Sequence, residues 1–166
     1  MTLDVRAAAA GVIGDVLGGH SLNQALPSRL NRVSERDRGL LQQLCYGTLR
    51  QGPRLQAVLE LLLEKPLRDK DQDLQGLLLC GLYQLEGTRV PDHAAVGATV
   101  DATRVLKKHW AKSVVNAILR RYLRERAQLT QSLAPAAAAS HPPWLFHKIT
   151  RQWPAAAAAI MEANNQ

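Results

Sequence analysis

Aromatic side chains are scarce in this sequence: three Trp, three Tyr and one Phe among 166 residues. That scarcity argues against a single-strand nucleic-acid platform made of stacked aromatic rings. Cysteine is rarer, with only Cys45 and Cys80, which excludes a disulfide scaffold. No CxxC pair occurs, and no His/Cys cluster has the spacing of a metal site. Both cysteines stand among leucines, where a thiol serves as a small core residue. The longest uncharged apolar stretch, Leu74 to Leu85, is too short to span a bilayer, so no membrane partner is expected. The apolar run Ala7 to Gly14 follows Asp4 and Arg6, whose charges cancel, and Asp15 interrupts it. It reads as a mature cytoplasmic N-terminus rather than a signal-peptide core.

β-branched residues are also few. There are 11 Val, 4 Ile and 7 Thr against 27 Leu and 24 Ala, and this balance predicts an all-α domain. The hydrophobic fraction of 46% and the charged fraction of 21% are those of a globular chain. The length suits one domain with its own core.

Catalytic motifs are missing as well. There is no Gly-rich nucleotide loop and no GxSxG elbow. His20, His93, His109, His141 and His147 are scattered. The triplet Asp69, Asp71, Asp73 lacks the glycine and closing glutamate of a calcium loop, so it reads as the acidic start of a helix.

Periodicity and breakers predict the helices. The first covers about 2–17 and stops at Gly18-Gly19. A short turn over 21–26 ends at Pro27, followed by a loop over 28–33. Ser34 is the expected N-cap of a helix carrying Leu41, Leu44 and Cys45. Gly52-Pro53 starts another, limited by Pro66. The helix through Leu77, Leu78 and Leu82 is apolar on most faces and is expected at the centre. Two more follow, over about 92–106 and 113–128. His141-Pro142-Pro143 breaks an alanine-rich tail in which Trp144 and Trp153 read as core residues.

What is present in excess is positive charge. The net charge is +7, from 21 Lys and Arg against 14 Asp and Glu. Between Arg104 and Arg126 there are eight cations and a single acid, Glu125, so this window alone accounts for the whole surplus. At about 100° per residue, Val114, Val115, Ile118, Leu119, Tyr122 and Leu123 fill one half of the last helix, and Arg120, Arg121 and Arg124 fall on the other. A localised basic face of this kind fits a polyanion, because Arg forks onto phosphate oxygens. Lys107, Lys108 and Lys112 extend it into the preceding loop, where Trp110 can stack on a base or cover the helix junction. Arg29, Arg32 and Arg36 form a second group, partly neutralised by Glu35 and Asp37.

Several segments, taken together and in order, resemble a known fold. Leu82-Tyr83-Gln84-Leu85, Val90-Pro91 and Ser113-Val114-Val115-Asn116-Ala117-Ile118-Leu119-Arg120 resemble the NusB-like helical bundle, an RNA-binding fold. Leu40 to Arg50, His93-Ala94-Ala95, His141 to Leu145 and Glu162 to Gln166 resemble the N-terminal domain of the Sun/Fmu family of bacterial ribosomal RNA cytosine-5 methyltransferases. The resemblance covers nearly the whole chain. It implies a NusB-like domain over 1–133, and an Ala/Pro-rich linker with a short helical extension over 134–166 leading towards a catalytic domain. It also adds Arg6 and Asn116 to the RNA-binding candidates Lys107, Lys108, Lys112, Arg120, Arg121 and Arg124.

The implied function is RNA binding or RNA orientation within a small-subunit ribosomal RNA methyltransferase. The chain would be non-catalytic, with ribosomal RNA and its own catalytic domain as partners, and cytoplasmic. S-adenosylmethionine is expected only in the catalytic domain, so no cofactor is assigned here. The alternatives are a free NusB-type antitermination factor, which would end soon after the Ser113 helix, and a protein-interaction module without an RNA role.

Overall fold

The structure is a computed structural model that describes residues 2–133. The linker and helical extension expected over 134–166, with Trp144 and Trp153, lie outside the described residues. Among those described there are seven α-helices, three short 3-10 turns and no strand. The helices are α1 (Val5–Leu17), α2 (Leu22–Leu30), α3 (Arg38–Arg50), α4 (Gly52–Leu62), α5 (Gln72–Leu85), α6 (Asp92–Val105) and α7 (Lys112–Gln131).

The centre is shared by α5 and α1. Most of α5 is buried, as its apolar faces predict, but α1 is buried to the same degree, through Ala7 to Ala10, Val12 and Ile13. Small residues explain the pairing. A Cβ on Gly76 would lie 2.5 Å from the Ala10 carbonyl oxygen, and one on Gly14 would lie 2.9 Å from that of Gln72. The two backbones approach more closely than any larger side chain would permit. The N-terminal alanine run is therefore a core helix. Asp4 caps it, its carboxylate accepting from the amides of Arg6 and Ala7 at 3.1 and 2.9 Å. Around this pair, α3 packs on α1 and α5, α6 packs on α5 and α7, and α4 closes against α5 and α7. Cys45 and Cys80 are buried and free. Burial pushes both thiols up to about 12.

Three local expectations need correction. The second helix does not end at Pro27 but continues to Leu30. Proline removes only the bond to the carbonyl of Asn23, which is exposed to water, and Arg29 ties the last turn to Asp15 of α1 at 2.6 Å. Ser34 makes no side-chain cap, because a 3-10 turn over Glu35–Asp37 separates it from α3. Val114, placed on the apolar half of α7, is exposed, whereas Val115, Ile118, Leu119 and Tyr122 are buried as expected. The core-facing stripe is therefore narrower than half the helix, and Val114 sits beyond its edge.

Candidate nucleic-acid interface

The core stripe of α7 decides where its cations point. Lys112, Asn116, Arg120 and Arg124 follow one another at i, i+4, so they form a single oblique row about 18 Å long at 1.5 Å per residue. Lys112, Arg120 and Arg124 are exposed and Asn116 is half-buried. The Asn116 carboxamide oxygen accepts from Arg120 Nε at 3.0 Å, which orients the guanidinium while leaving its outer nitrogens open. Ser113 and Ala117, exposed beside the row, are too small to screen it. Arg120 and Arg124 have no ion-pair partner among the described residues.

The other candidates are not equivalent. Arg121 turns back, its Nε donating to Glu125 at 2.5 Å and its Nη1 to the Leu62 carbonyl at 3.4 Å. Helical geometry is interrupted at Glu125 (φ −112°, ψ 17°), and beyond this break Arg126 donates to the Leu85 carbonyl at 2.9 Å and covers the Tyr122 ring. Tyr122 in turn donates to Glu86, which also holds Arg54 at 2.5 Å. Arg6 is half-buried and donates to the Gln84 side chain at 3.0 Å, joining α1 to α5 far along the chain.

Lys108 departs most from expectation. Its ammonium lies 2.7 Å from Asp71 and 2.6 Å from Asp73, with the lysine side chain only 16% exposed. Hydrogen bonding from Lys108 holds the Asp71 carboxyl below the usual carboxylate range, against the opposing effect of burial. Burial depresses the Lys108 ammonium, but the two carboxylates more than offset it and its pKa is raised. The acidic triplet is thus not simply a helix-capping group. Asp73 accepts from the Leu74 amide at 2.8 Å, but its other work, with Asp71, is to anchor the loop between α6 and α7. Lys108 is thus held internally.

Lys107, beside it, is exposed and left-handed, with φ 61°. The Lys107 amide donates to the Arg104 carbonyl and the Lys108 amide to that of Thr103, at 3.0 and 2.9 Å. This is the Schellman end of α6, with lysine where glycine is usual. Trp110 is 58% exposed, so it does not cover the helix junction. The second basic group is also revised. Arg29 is neutralised by Asp15 rather than by Glu35 or Asp37, and Arg32 lines a groove with Lys70 and Val105. Arg68 and Lys70 were missed altogether, because alternation with Asp69 and Asp71 makes their segment look charge-balanced.

The NusB family profile matches residues 3–124. The chain belongs to the NusB family. Its α7 row therefore lies mostly within the NusB match, with Arg124 at the limit. Among curated relatives, the chain is 47% identical over 98% of its length to ribosomal RNA small subunit methyltransferase B of Pseudomonas putida. It is 42% identical over 98% to the protein of that name from Vibrio cholerae, and 38% identical over 99% to that from Yersinia pseudotuberculosis. The chain spans 38%, 38% and 39% of those proteins, respectively, and corresponds to their NusB-like N-terminal part. No helix among the described residues is long and apolar enough to cross a membrane.

Proposed function

We propose that this chain is the RNA-orienting, non-catalytic part of a small-subunit ribosomal RNA cytosine-5 methyltransferase, and that it grips ribosomal RNA along Lys112, Asn116, Arg120 and Arg124. The observation that carries this reading is the outward pair Arg120 and Arg124 on a NusB-family helix, exposed and without an ion-pair partner among the described residues. Most other cations of the same window are bound internally. Phosphate contacts dominate, since Arg and Lys provide the exposed groups. The family resemblance supplies the reaction, transfer of a methyl group from S-adenosylmethionine to carbon 5 of cytosine. Cofactor and catalysis belong to a separate catalytic domain, which is also the partner this domain docks beside, in the cytoplasm. Similarity to the methyltransferases over 98% of the chain includes the region beyond the Ser113 helix and so favours this reading over a free antitermination factor.

The test is a salt series of binding to a labelled small-subunit ribosomal RNA fragment. The double variant Arg120→Ala, Arg124→Ala is expected to weaken binding and to lower the salt slope by roughly one unit per lost phosphate contact. Its melting temperature should hardly move, as exposed substitutions cost about 0.5 kcal/mol or less. Arg36→Ala is the control, because that side chain is 89% exposed on a different element. Equal losses in both variants mean that charge acts diffusely, and the localised interface is wrong. No salt-dependent RNA binding by the unaltered chain overturns the RNA reading in favour of an interaction module.

A further inference from the structure

A groove of about 510 Å³ opens at the foot of α7, between the segment that precedes α5 and the loop that precedes α7. That volume lies within the range of small-ligand clefts, roughly 300–1,000 Å³. Its lining is almost wholly charged: Arg68, Lys70, Lys107, Lys108 and Asp71, with Trp110 as its one apolar residue among those described. Lys108 bridges Asp71 and Asp73 at its floor, at 2.7 and 2.6 Å, and these contacts fasten the two walls together with one negative charge in excess. Arg68, Lys70 and Lys107 remain exposed around the rim, with no ion-pair partner among the described residues.

We propose that this groove holds one unstacked nucleotide of a single-stranded RNA segment, its base lying on Trp110 and its phosphate between Lys107 and the Arg68–Lys70 edge. The inference rests on the RNA reading above and adds to it a second subsite of different chemistry. Three features favour a nucleotide over a protein segment. The groove has one aromatic face and no second apolar residue, whereas protein-interface centres are apolar and depleted of lysine. An indole face accepts any base, because every base has a π-face. Trp110 also stands two residues before Lys112, where the exposed row of α7 begins, so one strand can pass from the groove to the helix.

The backbone supports the same assignment. Lys107 holds a left-handed conformation that glycine would adopt without cost. This conformation places a long cation, rather than a hydrogen atom, at the mouth of the groove.

The experiment uses the full chain and two labelled 12-nucleotide RNAs, oligocytidylate and the same ribose-phosphate backbone with abasic central positions. Trp110→Ala is expected to weaken binding to oligocytidylate by roughly 5-fold or more, leaving the salt slope unchanged. Trp110→Phe should retain most of the affinity, and the abasic strand should bind unaltered protein and Trp110→Ala alike. Lys107→Ala should lower the salt slope by about one unit on both strands. Equal binding of oligocytidylate by the unaltered protein and Trp110→Ala overturns the proposal and assigns Trp110 to a protein surface. Equal loss by Trp110→Ala on both strands also overturns it, because the indole would then be acting through packing. If Trp110→Ala is silent while the Arg120/Arg124 variant loses affinity, only the groove assignment fails. If no variant and no strand shows binding, the RNA reading fails with it.

Discussion

Replacing Lys108 with methionine keeps the aliphatic stem and removes the ammonium that Asp71 and Asp73 share. Two charge-assisted hydrogen bonds, at 2.7 and 2.6 Å, disappear. The Asp71 side chain, 8% exposed, is left buried without its partner, while Asp73, 32% exposed, can turn to water. Bonds to charged groups contribute about 1.5–3 kcal/mol each, and exposure of Asp73 discounts its share by screening. The net cost for Lys108→Met at pH 7 is therefore about 2–3 kcal/mol. At roughly 2–4 °C per kcal/mol for a chain of this size, melting falls by about 5–10 °C.

The pH dependence carries a sign. The Asp71 pKa is lowered in the folded state, so its contribution is complete above the unfolded value of about 4 and is lost as pH falls through the folded one. The Lys108 pKa is raised, so its contribution is complete below the unfolded value of about 10.4 and is lost as pH rises through the folded one. The stability gap between the unaltered chain and Lys108→Met should therefore be flat from about pH 5 to 10 and narrow on either side. Urea unfolding at pH 7, 4 and 2.5 measures it. A gap below about 0.5 kcal/mol at pH 7, or one undiminished at pH 2.5, would refute the reasoning. Asp71→Asn should cost less, because Lys108 keeps Asp73.

Four further outcomes follow from particular positions. Lys107→Gly relieves a left-handed lysine, so it should stabilise the fold by about 1 kcal/mol in thermal unfolding while weakening RNA binding; a fall in melting temperature contradicts the strain argument. Gly76→Ala places a Cβ 2.5 Å from the Ala10 carbonyl, and overpacking of α1 against α5 should cost about 1–3 kcal/mol or more in urea. Gly39→Ala, where a Cβ meets nothing within 4 Å, should instead stabilise α3 by roughly 0.5–1 kcal/mol. Cys45 and Cys80, buried with thiols raised to about 12, should stay unreactive to a disulfide reagent at pH 8 until the chain unfolds. Prompt modification of the native protein contradicts their burial.

Much of the architecture is legible in the chain alone, because local rules write it. Leucine and alanine abundance, the 3.6-residue period and the breaks at Gly18-Gly19 and Gly52-Pro53 place the helices to within a few residues. The apolar circumference of α5 announces a buried helix. The outward direction of Arg120 and Arg124 follows from α7 periodicity, since burial of Val115, Leu119 and Tyr122 leaves them no other side. The availability of each cation does not follow from such rules. Lys108 meets acids 35 and 37 residues away, Arg29 meets one 14 away, and Arg126 finds a carbonyl 41 away. Charge counted in a sequence window records only neighbours along the chain, whereas Coulomb attraction and hydrogen bonding act between neighbours in space. The packing of α6 and α7 against α5 therefore determines which part of the +7 surplus faces solvent and which is used to hold the bundle together.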